Sequence, residues 1–570
     1  MKSYDTILKT LVGVYDKVSS YQTKEGKTFH VNNTFTIFGQ CTGLYYAALF
    51  KCNHKDNPYF GNEELLRKSL LSWDYYISLM NENGQSPLIT FDQFWEYFYD
   101  EWGVLHLINT VELLKENIEE AKLLVYREKI DKAILGILGD IKKDYENTEF
   151  IENVKKHEVA NHFLWRITCV YRYAMLKNDS ALMKYCLNIV HFVCENQLPF
   201  GTWLEGGSLV VKYSHTTLGA LGQLLAYTNN SDKILYDAVV KNMEYLLKCY
   251  YCNTEAIGCF DGRNQDEVFF EFTFLCPSVL DHKAGVRYNS RHILSKYNDP
   301  TELYIKHQTL GYYVDSFLSM TENVELVTED EVKQDEVIYI DKTDKIIPSY
   351  SDNLINTLKI CKNDFIVPVC ILKNRSINKR WILQRQNLFS IYHKKSKLII
   401  GGGNSIGSYE FSPFNIISNG QIHYLHDSAR LISDNKLEVI YDGVECTIEI
   451  NILNSEEIVV EYTVNKLKEL DKCFVNIPLF LQYITKISTP YKTIDVKSLE
   501  YHSEHLDSND KIDTDFVSIS LDKESIITYP VYLFNSYMQL QKESPEKACA
   551  VQRCQLDNSC NKVKIYIKVK

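Results

Sequence analysis

The sequence P-F-G-T-W-L-E-G-G-S-L-V-V-K-Y-S-H-T-T-L-G-A-L-G-Q-L-L, which spans residues 199–225, joins a glycine-rich turn to an apolar helical pattern. Its double glycine, Gly206 and Gly207, permits backbone conformations that other residues avoid and lets a ligand approach closely. Tyr213 and His215 lie two residues apart, so both side chains would point the same way in an extended segment. A phenol beside an imidazole at the entrance of a helix can transfer protons. The alternative is a structural loop that packs its tryptophan and caps the helix with its serine.

A second polar motif, H-E-V-A-N-H-F-L-W-R, lies about forty residues upstream, at residues 157–166 and within a helical pattern. Asn161 and Trp165 share one face of that helix, and so do His162 and Arg166, because residues four apart are one turn apart. An Asn–His pair in the middle of a helix competes with the helix backbone and is costly to bury unpaired. The pair is therefore either satisfied inside the protein or part of a functional site.

The composition is that of a globular protein with several domains. The chain has 570 residues, of which 45% are hydrophobic and 24% charged, and this length favours about two to four domains. The formal net charge is −12 and we find no long block of Lys and Arg. Nucleic acid and an anionic membrane are therefore not expected as partners. An anionic substrate remains compatible with the sequence, because a site can be locally basic. The oligomeric state is left open.

The N-terminal residues 1–17 form an amphipathic pattern without the apolar core and cleavage site of a signal peptide. As it stands, the sequence predicts a cytoplasmic protein, or a periplasmic or secreted one if a signal was removed. The 16 cysteines are scattered and predict free thiols. His423, His426 and Asp427 form the one metal-like grouping near the C-terminus, but residues three apart lie on opposite faces of a strand. We expect no metal and no cofactor.

Two halves of the chain have different periodicities. Apolar residues recur at helical spacing in Tyr4–Tyr21, Ile37–Cys52, Glu63–Met80, Phe91–Lys115, Ile118–Tyr145, His157–Leu176, Ser180–Asn196, His215–Tyr227, Asp232–Tyr250, Ser278–Tyr297 and Thr301–Met320. After the acidic segment Thr321–Glu336, short β-branched runs alternate with turn residues. The predicted strands include Phe365–Leu372, Trp381–Leu383 and Thr447–Ile452. We therefore predict helical hairpins over 1–320, a linker over 321–336, and an antiparallel β-sandwich over 337–570.

Together these motifs resemble the heparinase II/III-like and alginate-lyase-like polysaccharide lyases. In that group an Asn–His pair lies on one helix of an incomplete (α/α) toroid, and a G-x-x-x-E-G loop followed by a Tyr lies on a later one. Asn161 and His162 match the pair, and residues 201–206 with Tyr213 match the loop. The order of helices and strands matches over most of the chain. The segment between Glu205 and Tyr213 departs from the pattern, because it carries an extra Gly and no aromatic residue.

The resemblance implies a β-elimination that cleaves a uronic-acid-containing glycan, with residues 1–320 as the catalytic domain. Asn161, helped by His162, would stabilise the enediolate formed at the substrate carboxylate. Tyr213 is the candidate acid and base, and either His215 or His162 is the candidate partner base. The candidate substrate contacts are Trp102, Arg166, Trp203, Glu205 and Arg287, although a structural role for either arginine is the alternative.

Two other functions stay open at this point. A glycoside hydrolase on the same toroid needs two carboxylates that flank the bond, and its candidates are Asp92, Glu96, Asp100, Glu101, Glu205, Asp261 and Glu267. Asp92 and Glu96 would share a face if their segment were helical. A carbohydrate-binding or biosynthetic accessory protein could also keep the toroid without turnover. The sequence does not identify the glycan or an endo or exo mode.

Overall fold

The computed structural model describes residues 1–29, 33–252, 255–263, 268–270, 274–305, 307–328, 335–373, 384–465, 467, 471–480, 484–532 and 548–570. The chain forms two compact units. The first consists of Met1–Glu205, Tyr213–Leu247 and Glu271–Glu329, and the second of Gly206–Lys212, Lys248–Phe270 and Asp330–Lys570. The predicted domain boundaries at residues 320 and 337 stay a prediction.

The part of the chain before residue 320 is mainly helical. Its helices are α1 (Ser3–Gly13), α2 (Tyr15–Ser20), α3 (Thr42–Lys51), α4 (Glu63–Leu79), α5 (Glu101–Leu114), α6 (Glu120–Tyr145), α7 (Thr148–Lys155), α8 (Asn161–Lys177), α9 (Ser180–Glu195), α10 (Val211–Tyr227), α11 (Lys233–Lys248), α12 (Lys283–Asn298), α13 (Thr301–Ile305) and α14 (His307–Leu318). Capping side chains fix where several helices begin. The side chains of Asn62, Asp100 and Asp179 accept backbone N–H groups in the first turns of α4, α5 and α9, respectively. Among the described residues, no helix is long and apolar enough to cross a membrane.

The two ends of the first unit are in contact. Helix α1 packs against α12 and α14, which come from the far end of the same unit. The backbone N–H of Ser3 donates to the carbonyl of Val324 at 2.9 Å, and Lys2 forms a β-bridge with Glu325. The first and last helices of this unit therefore bury surface against each other.

The prediction of one helix over Phe91–Lys115 is wrong in its first part. Strands β1 (Ser86–Thr90) and β2 (Gln93–Phe98) form an antiparallel hairpin there, and α5 begins afterwards. Phe91 and Asp92 form the turn with φ values of 51° and 63°, the left-handed conformation that two-residue hairpin turns require. Asp92 and Glu96 therefore do not share a helix face.

The other strands are antiparallel, and most of them lie after residue 330. They are β3 (Glu255–Ile257), β4 (Val268–Phe270), β5 (Glu336–Tyr339), β6 (Thr357–Lys362), β7 (Phe365–Cys370), β8 (Ile391–His393), β9 (Lys397–Ile400), β10 (Phe414–Ser418), β11 (Gln421–His423), β12 (Ser428–Ser433), β13 (Lys436–Tyr441), β14 (Val444–Ile452), β15 (Glu457–Asn465), β16 (Lys472–Phe480), β17 (Lys486–Ser488), β18 (Thr493–Asp495), β19 (His502–Leu506), β20 (Lys511–Thr514), β21 (Val517–Leu521), β22 (Ser525–Tyr532), β23 (Ala548–Leu556) and β24 (Lys562–Val569).

Strands β5 to β24 build two large sheets around one core, and β3 and β4 form a separate pair. One sheet has the order β19-β22-β23-β16-β9-β8-β7-β6-β5, and in it β10 also pairs with β16 and β11 pairs with β10. The other sheet has the order β12-β13-β14-β15-β24-β21-β20-β17-β18. Alternating residues of both sheets, such as Val367 and Ile477 in one and Ile448 and Ile565 in the other, share a single hydrophobic cluster. The predicted sandwich of antiparallel strands is thus present. A strand expected at Trp381–Leu383 lies outside the described residues.

Candidate functional site

The turn that opens the glycine-rich loop is fixed by its neighbours. Gly201 has φ of 101°, and a Cβ atom there would lie 2.2 Å from the carbonyl oxygen of Lys241. The side-chain amide of Asn242 donates to the Gly201 carbonyl at 2.7 Å and to the Ser214 hydroxyl at 3.0 Å. Thr202 and Ser214 share a hydroxyl hydrogen bond of 2.7 Å. The turn therefore depends on a glycine at position 201.

A short backbone ladder carries the loop to the Asn–His motif. The N–H of Leu204 donates to the carbonyl of His157 at 2.7 Å, and the N–H of Val159 donates to the carbonyl of Leu204 at 2.9 Å. The buried side chain of Trp203 donates its Nε1 proton to the carbonyl of Val193 at 3.0 Å. Trp203 was a candidate for substrate contact, but it is buried and anchors the loop.

The ladder places Glu205 at the start of α8. Its Oε1 and Oε2 lie 2.9 and 3.1 Å from Nδ2 of Asn161, and Oε2 accepts the backbone N–H of Asn161 at 3.3 Å. Asn161 is the first residue of α8, so the prediction that the pair lies in the middle of a helix is wrong. The first N–H groups of a helix have no partner within the helix and carry partial positive charge. The Glu205 carboxylate accepts one of them, the N–H of Asn161, from a distant part of the chain.

A second carboxylate holds His162. Nδ1 of His162 lies 2.6 Å from Oε1 of Glu101, which begins α5. The Glu101 side chain is 1% exposed and that of His162 is 50% exposed, so the imidazole reaches solvent while its partner is buried. The ring of Trp102 lies against the imidazole, with centroids 4.6 Å apart. The N-termini of α5 and α8 thus meet at one place in the first unit.

The electrostatics of this cluster favour a charged imidazole. Burial lowers the pKa of His162, but the carboxylates of Glu101 and Glu205 raise it more, and the net pKa lies above its usual value. Oε2 of Glu101 and Nε1 of Trp102 are buried and have no hydrogen-bond partner among the described residues. Buried polar atoms without partners are uncommon and often mark functional sites.

Arg166 and Arg287 lie on different helices. Arg166 is one turn after His162 and its Nη1 donates to Oδ2 of Asp144 on α6 at 3.3 Å. Arg287 is exposed on α12. Arg166 therefore forms an ion pair near the Asn–His motif. Arg287 stays a candidate for substrate contact, because it is exposed.

Tyr213 and His215 do not point the same way. The helix α10 begins at Val211, so residues two apart are rotated by about 200° around its axis. Tyr213 is partly exposed in the first turn, whereas His215 is completely buried and its Nδ1 lies 2.9 Å from the hydroxyl of Tyr288. Burial lowers the pKa of His215 to about 3, which keeps this imidazole neutral. The prediction that both side chains share one direction is wrong, because the segment is helical.

The remaining polar candidates have structural partners. Nε2 of His423 lies 3.8 Å from Oδ2 of Asp442. His426 is buried, and this burial lowers its pKa to about 4. In the ranges that the structure describes, no three His, Cys, Asp or Glu side chains are grouped as metal ligands. Asp261 is buried and accepts the N–H groups of Lys212 and Arg263, both at 2.7 Å. Glu267 lies outside the described residues.

From the sequence, Glu101 was predicted only as a possible hydrolase carboxylate. Its hydrogen bond to His162 was not predicted. The two residues are 61 positions apart, and no local spacing connects them. The one available indication was the D-E-W sequence at 100–102, in which Asp100 caps α5 and leaves the following acid at the helix start. Burial raises the pKa of Asp100 to about 6.

Comparison with solved structures identifies the class of this fold. A helical first half followed by two antiparallel sheets around one core is the (α/α) toroid with β-sandwich found in polysaccharide lyases, so the predicted fold class is confirmed. The structure of chondroitinase AC lyase, solved in oligosaccharide complexes, matches with a TM-score of 0.50 at 10% identity. The match covers 99% of this chain and 82% of that one.

Two further lyases are similar at lower TM-scores. Heparinase III matches at 0.49 with 11% identity, over 94% of this chain and 76% of its own. Heparan sulfate lyase HepC from Pedobacter heparinus matches with a TM-score of 0.44 at 9% identity, over 93% of this chain and 76% of its own. No protein-family model and no curated protein matches the sequence.

Proposed function

We propose that this protein is a lyase that cleaves a uronic-acid-containing oligo- or polysaccharide by β-elimination, with its catalytic domain in residues 1–320. The observation that carries the proposal is that the neighbouring residues Asn161 and His162 each bind a carboxylate, that of Glu205 and that of Glu101 respectively. An amide, a helix N-terminus and a charged imidazole gather at these two residues, and Glu205 already binds the first two. The fold shared with chondroitinase AC lyase supports the same activity.

The chemistry needs such donors because the proton at C5 of a uronic acid is weakly acidic. Its removal places negative charge on the neighbouring carboxyl group as an enediolate. Preorganised donors aimed at that charge are each worth roughly 3–4 kcal/mol of transition-state stabilisation. A site that binds and neutralises a carboxylate therefore lowers the barrier at the difficult step.

Asn161 supplies one donor through the geometry of its amide. Both oxygens of Glu205 lie near Nδ2, at 2.9 and 3.1 Å, which is the geometry of one N–H directed between two acceptors. An amide nitrogen carries two protons. In the proposed mechanism the second N–H of Asn161 binds the substrate carboxylate, and Glu205 positions the amide without touching the substrate.

His162 acts as a charged stabiliser in this scheme. Glu101 and Glu205 favour its protonated form, and its half-exposed ring can face a ligand while Nδ1 stays on Glu101. A protonated imidazole cannot accept the C5 proton, so we assign His162 to charge stabilisation. Its second nitrogen, Nε2, then donates toward the developing enediolate.

Tyr213 is the proposed acid and base. Its ionised hydroxyl takes the C5 proton, the C4–C5 double bond forms as the C4–O4 bond breaks, and the phenol returns the proton to the leaving oxygen. No water is consumed in this sequence. His215 was the other candidate base, but its complete burial and its bond to Tyr288 suit a structural role.

A screen of uronic acid glycans tests the proposal. The wild-type protein is incubated with chondroitin, heparan sulfate and alginate oligosaccharides, and the ultraviolet absorbance of an unsaturated uronate is followed. We expect absorbance to rise with at least one glycan and to stay flat with Asn161→Ala. New reducing ends without absorbance would favour a glycoside hydrolase, and binding without new ends would favour an accessory protein.

A further inference from the structure

The hairpin of β1 and β2 exposes two aromatic rings to solvent. Phe94 is 53% exposed and Tyr97 is 49% exposed. Their ring centroids are 5.4 Å apart with an interplanar angle of 63°, so the two rings form one continuous surface. Adjoining exposed aromatic rings are a candidate binding surface.

A β-bulge creates this surface. Leu88 pairs with Glu96 and Ile89 pairs with Phe94, so Trp95 is an extra residue in β2. Residues three apart in a regular strand lie on opposite faces, and the bulge removes that alternation. Phe94 and Tyr97 consequently reach the same face. Bulges of this kind are frequent beside active sites, where they redirect side chains.

The hairpin is held at both ends, so its aromatic surface is preorganised. At the tip, Oδ1 of Asp92 accepts the N–H of Phe35 at 3.1 Å, and Nε1 of Trp95 donates to the Thr90 hydroxyl at 2.7 Å. At the base, the Ser86 hydroxyl donates to the Tyr76 hydroxyl at 2.9 Å. Tyr76 in turn donates to Oδ2 of Asp100 at 3.0 Å, which joins the hairpin to the start of α5.

The surface adjoins the candidate site through the chain itself. Tyr97 precedes Glu101 by four residues, so their Cα atoms are at most about 14 Å apart. Glu101 is the residue that holds His162. We propose that Phe94 and Tyr97 form a platform that binds a sugar ring of the glycan chain beyond the uronate at the cleavage site. This inference rests on the proposed function for the identity of the ligand.

Glu96 is exposed on the other face of β2. It pairs with Leu88, whereas Phe94 and Tyr97 pair with Ile89 and Pro87, and neighbouring residues of β1 point to opposite faces. The two rings therefore lie on the face away from this carboxylate, where a sugar can present its C–H face to them.

Equilibrium binding tests the platform independently of turnover. Affinities are measured by calorimetry in a Tyr213→Phe background, for unsulfated chondroitin and for alginate, each as a tetrasaccharide and an octasaccharide. The double variant Phe94→Ala/Tyr97→Ala should bind the chondroitin octasaccharide about ten-fold more weakly. Its affinity for the tetrasaccharide should change less than two-fold. Phe60→Ala, which removes a ring that is 51% exposed outside the hairpin, should change neither affinity. Melting temperatures near that of the wild type show that the variants fold.

The outcomes separate the platform from the lyase. Equal chondroitin affinities in the double variant and the wild type would overturn the platform even if the wild type cleaves glycans. Binding that is lost in the double variant, in a protein that never forms unsaturated product, would keep the platform and contradict the lyase. A wild type that binds neither glycan would overturn both.

Discussion

The carboxylate of Glu205 closes the N-terminus of the helix that begins at Asn161, 44 residues earlier in the chain. It accepts the backbone N–H and the side-chain amide of the same residue. A remote acid thereby performs the work of a local N-cap, because Ala160 precedes the helix and has no side chain that could accept. The same contact fixes the orientation of the Asn161 amide.

We predict that Glu205→Gln weakens both the fold and the reaction. The loss of the charge at the helix N-terminus should cost about 0.5–2 kcal/mol in the free energy of unfolding. A less rigid Asn161 amide should lower kcat by about ten-fold or more and leave KM nearly unchanged. Denaturant unfolding and initial rates measure the two effects.

Glu195→Gln is the matched control, because this acid is exposed at the end of α9. It should leave stability and kcat at wild-type values. A Glu205→Gln variant with full kcat would show that the carboxylate does not position the amide.

The second prediction concerns pH. The folded state raises the pKa of His162 above the usual value of about 6.5. Its contribution to stability is therefore complete below the unfolded pKa and is lost as pH rises through the folded pKa. Glu101→Gln removes the largest raising contribution, so burial should bring the His162 pKa below its usual value. Imidazole titration by nuclear magnetic resonance measures this change.

Activity should follow the same titration. The rate of the wild type should fall at alkaline pH as His162 loses its proton, and Glu101→Gln should move that fall to lower pH. Glu112→Gln removes an acid from the same helix, where it pairs with Lys115, and should leave the profile unchanged. An unchanged His162 titration in Glu101→Gln would contradict the ion pair.

The third prediction compares two glycines. Gly201→Ala should destabilise the fold by about 1–3 kcal/mol, because φ is 101° and the new Cβ would lie 2.2 Å from a backbone oxygen. Gly139→Ala, within α6 and with open space around its Cβ position, should stabilise it by about 0.5–1 kcal/mol. Thermal and denaturant unfolding measure both changes, and equal effects would contradict the turn geometry.

The fourth prediction is that Tyr213→Phe lowers the rate by about 10²–10⁴ while substrate affinity and melting temperature stay near wild type. The hydroxyl is the proton carrier, and its removal changes the packed volume little. Tyr185→Phe, in a half-buried tyrosine of α9, is the control and should keep full activity. A wild-type rate in Tyr213→Phe would remove this residue from the mechanism.

The sequence predicted the helical and strand halves well, because burial imposes periods of 3.6 and 2 on apolar residues. The sequence did not predict the helix starts that depend on a capping partner far away in the chain. Glu205 sets the start of α8, and Asp261 accepts the Lys212 N–H near the start of α10, which begins at 211 and not at 215. No local pattern records such capping partners.

The hairpin of β1 and β2 was not predicted for a different reason. Aromatic residues in F-D-Q-F-W-E-Y-F-Y recur at positions that also fit a helix, and exposed strands lack the apolar alternation that identifies a buried face. For the candidate site, the sequence identified Asn161 and Glu205, but their mutual contact required the fold.

The most direct test of the account counts two products of one reaction. New reducing ends and unsaturated uronate ends are quantified together for the wild type and for Asn161→Ala, on the glycan that the screen selects. Elimination at this site predicts one unsaturated end for each new reducing end in the wild type, and neither product above background in the variant. Reducing ends that accumulate without unsaturated ends, or equal yields from the two proteins, would contradict it.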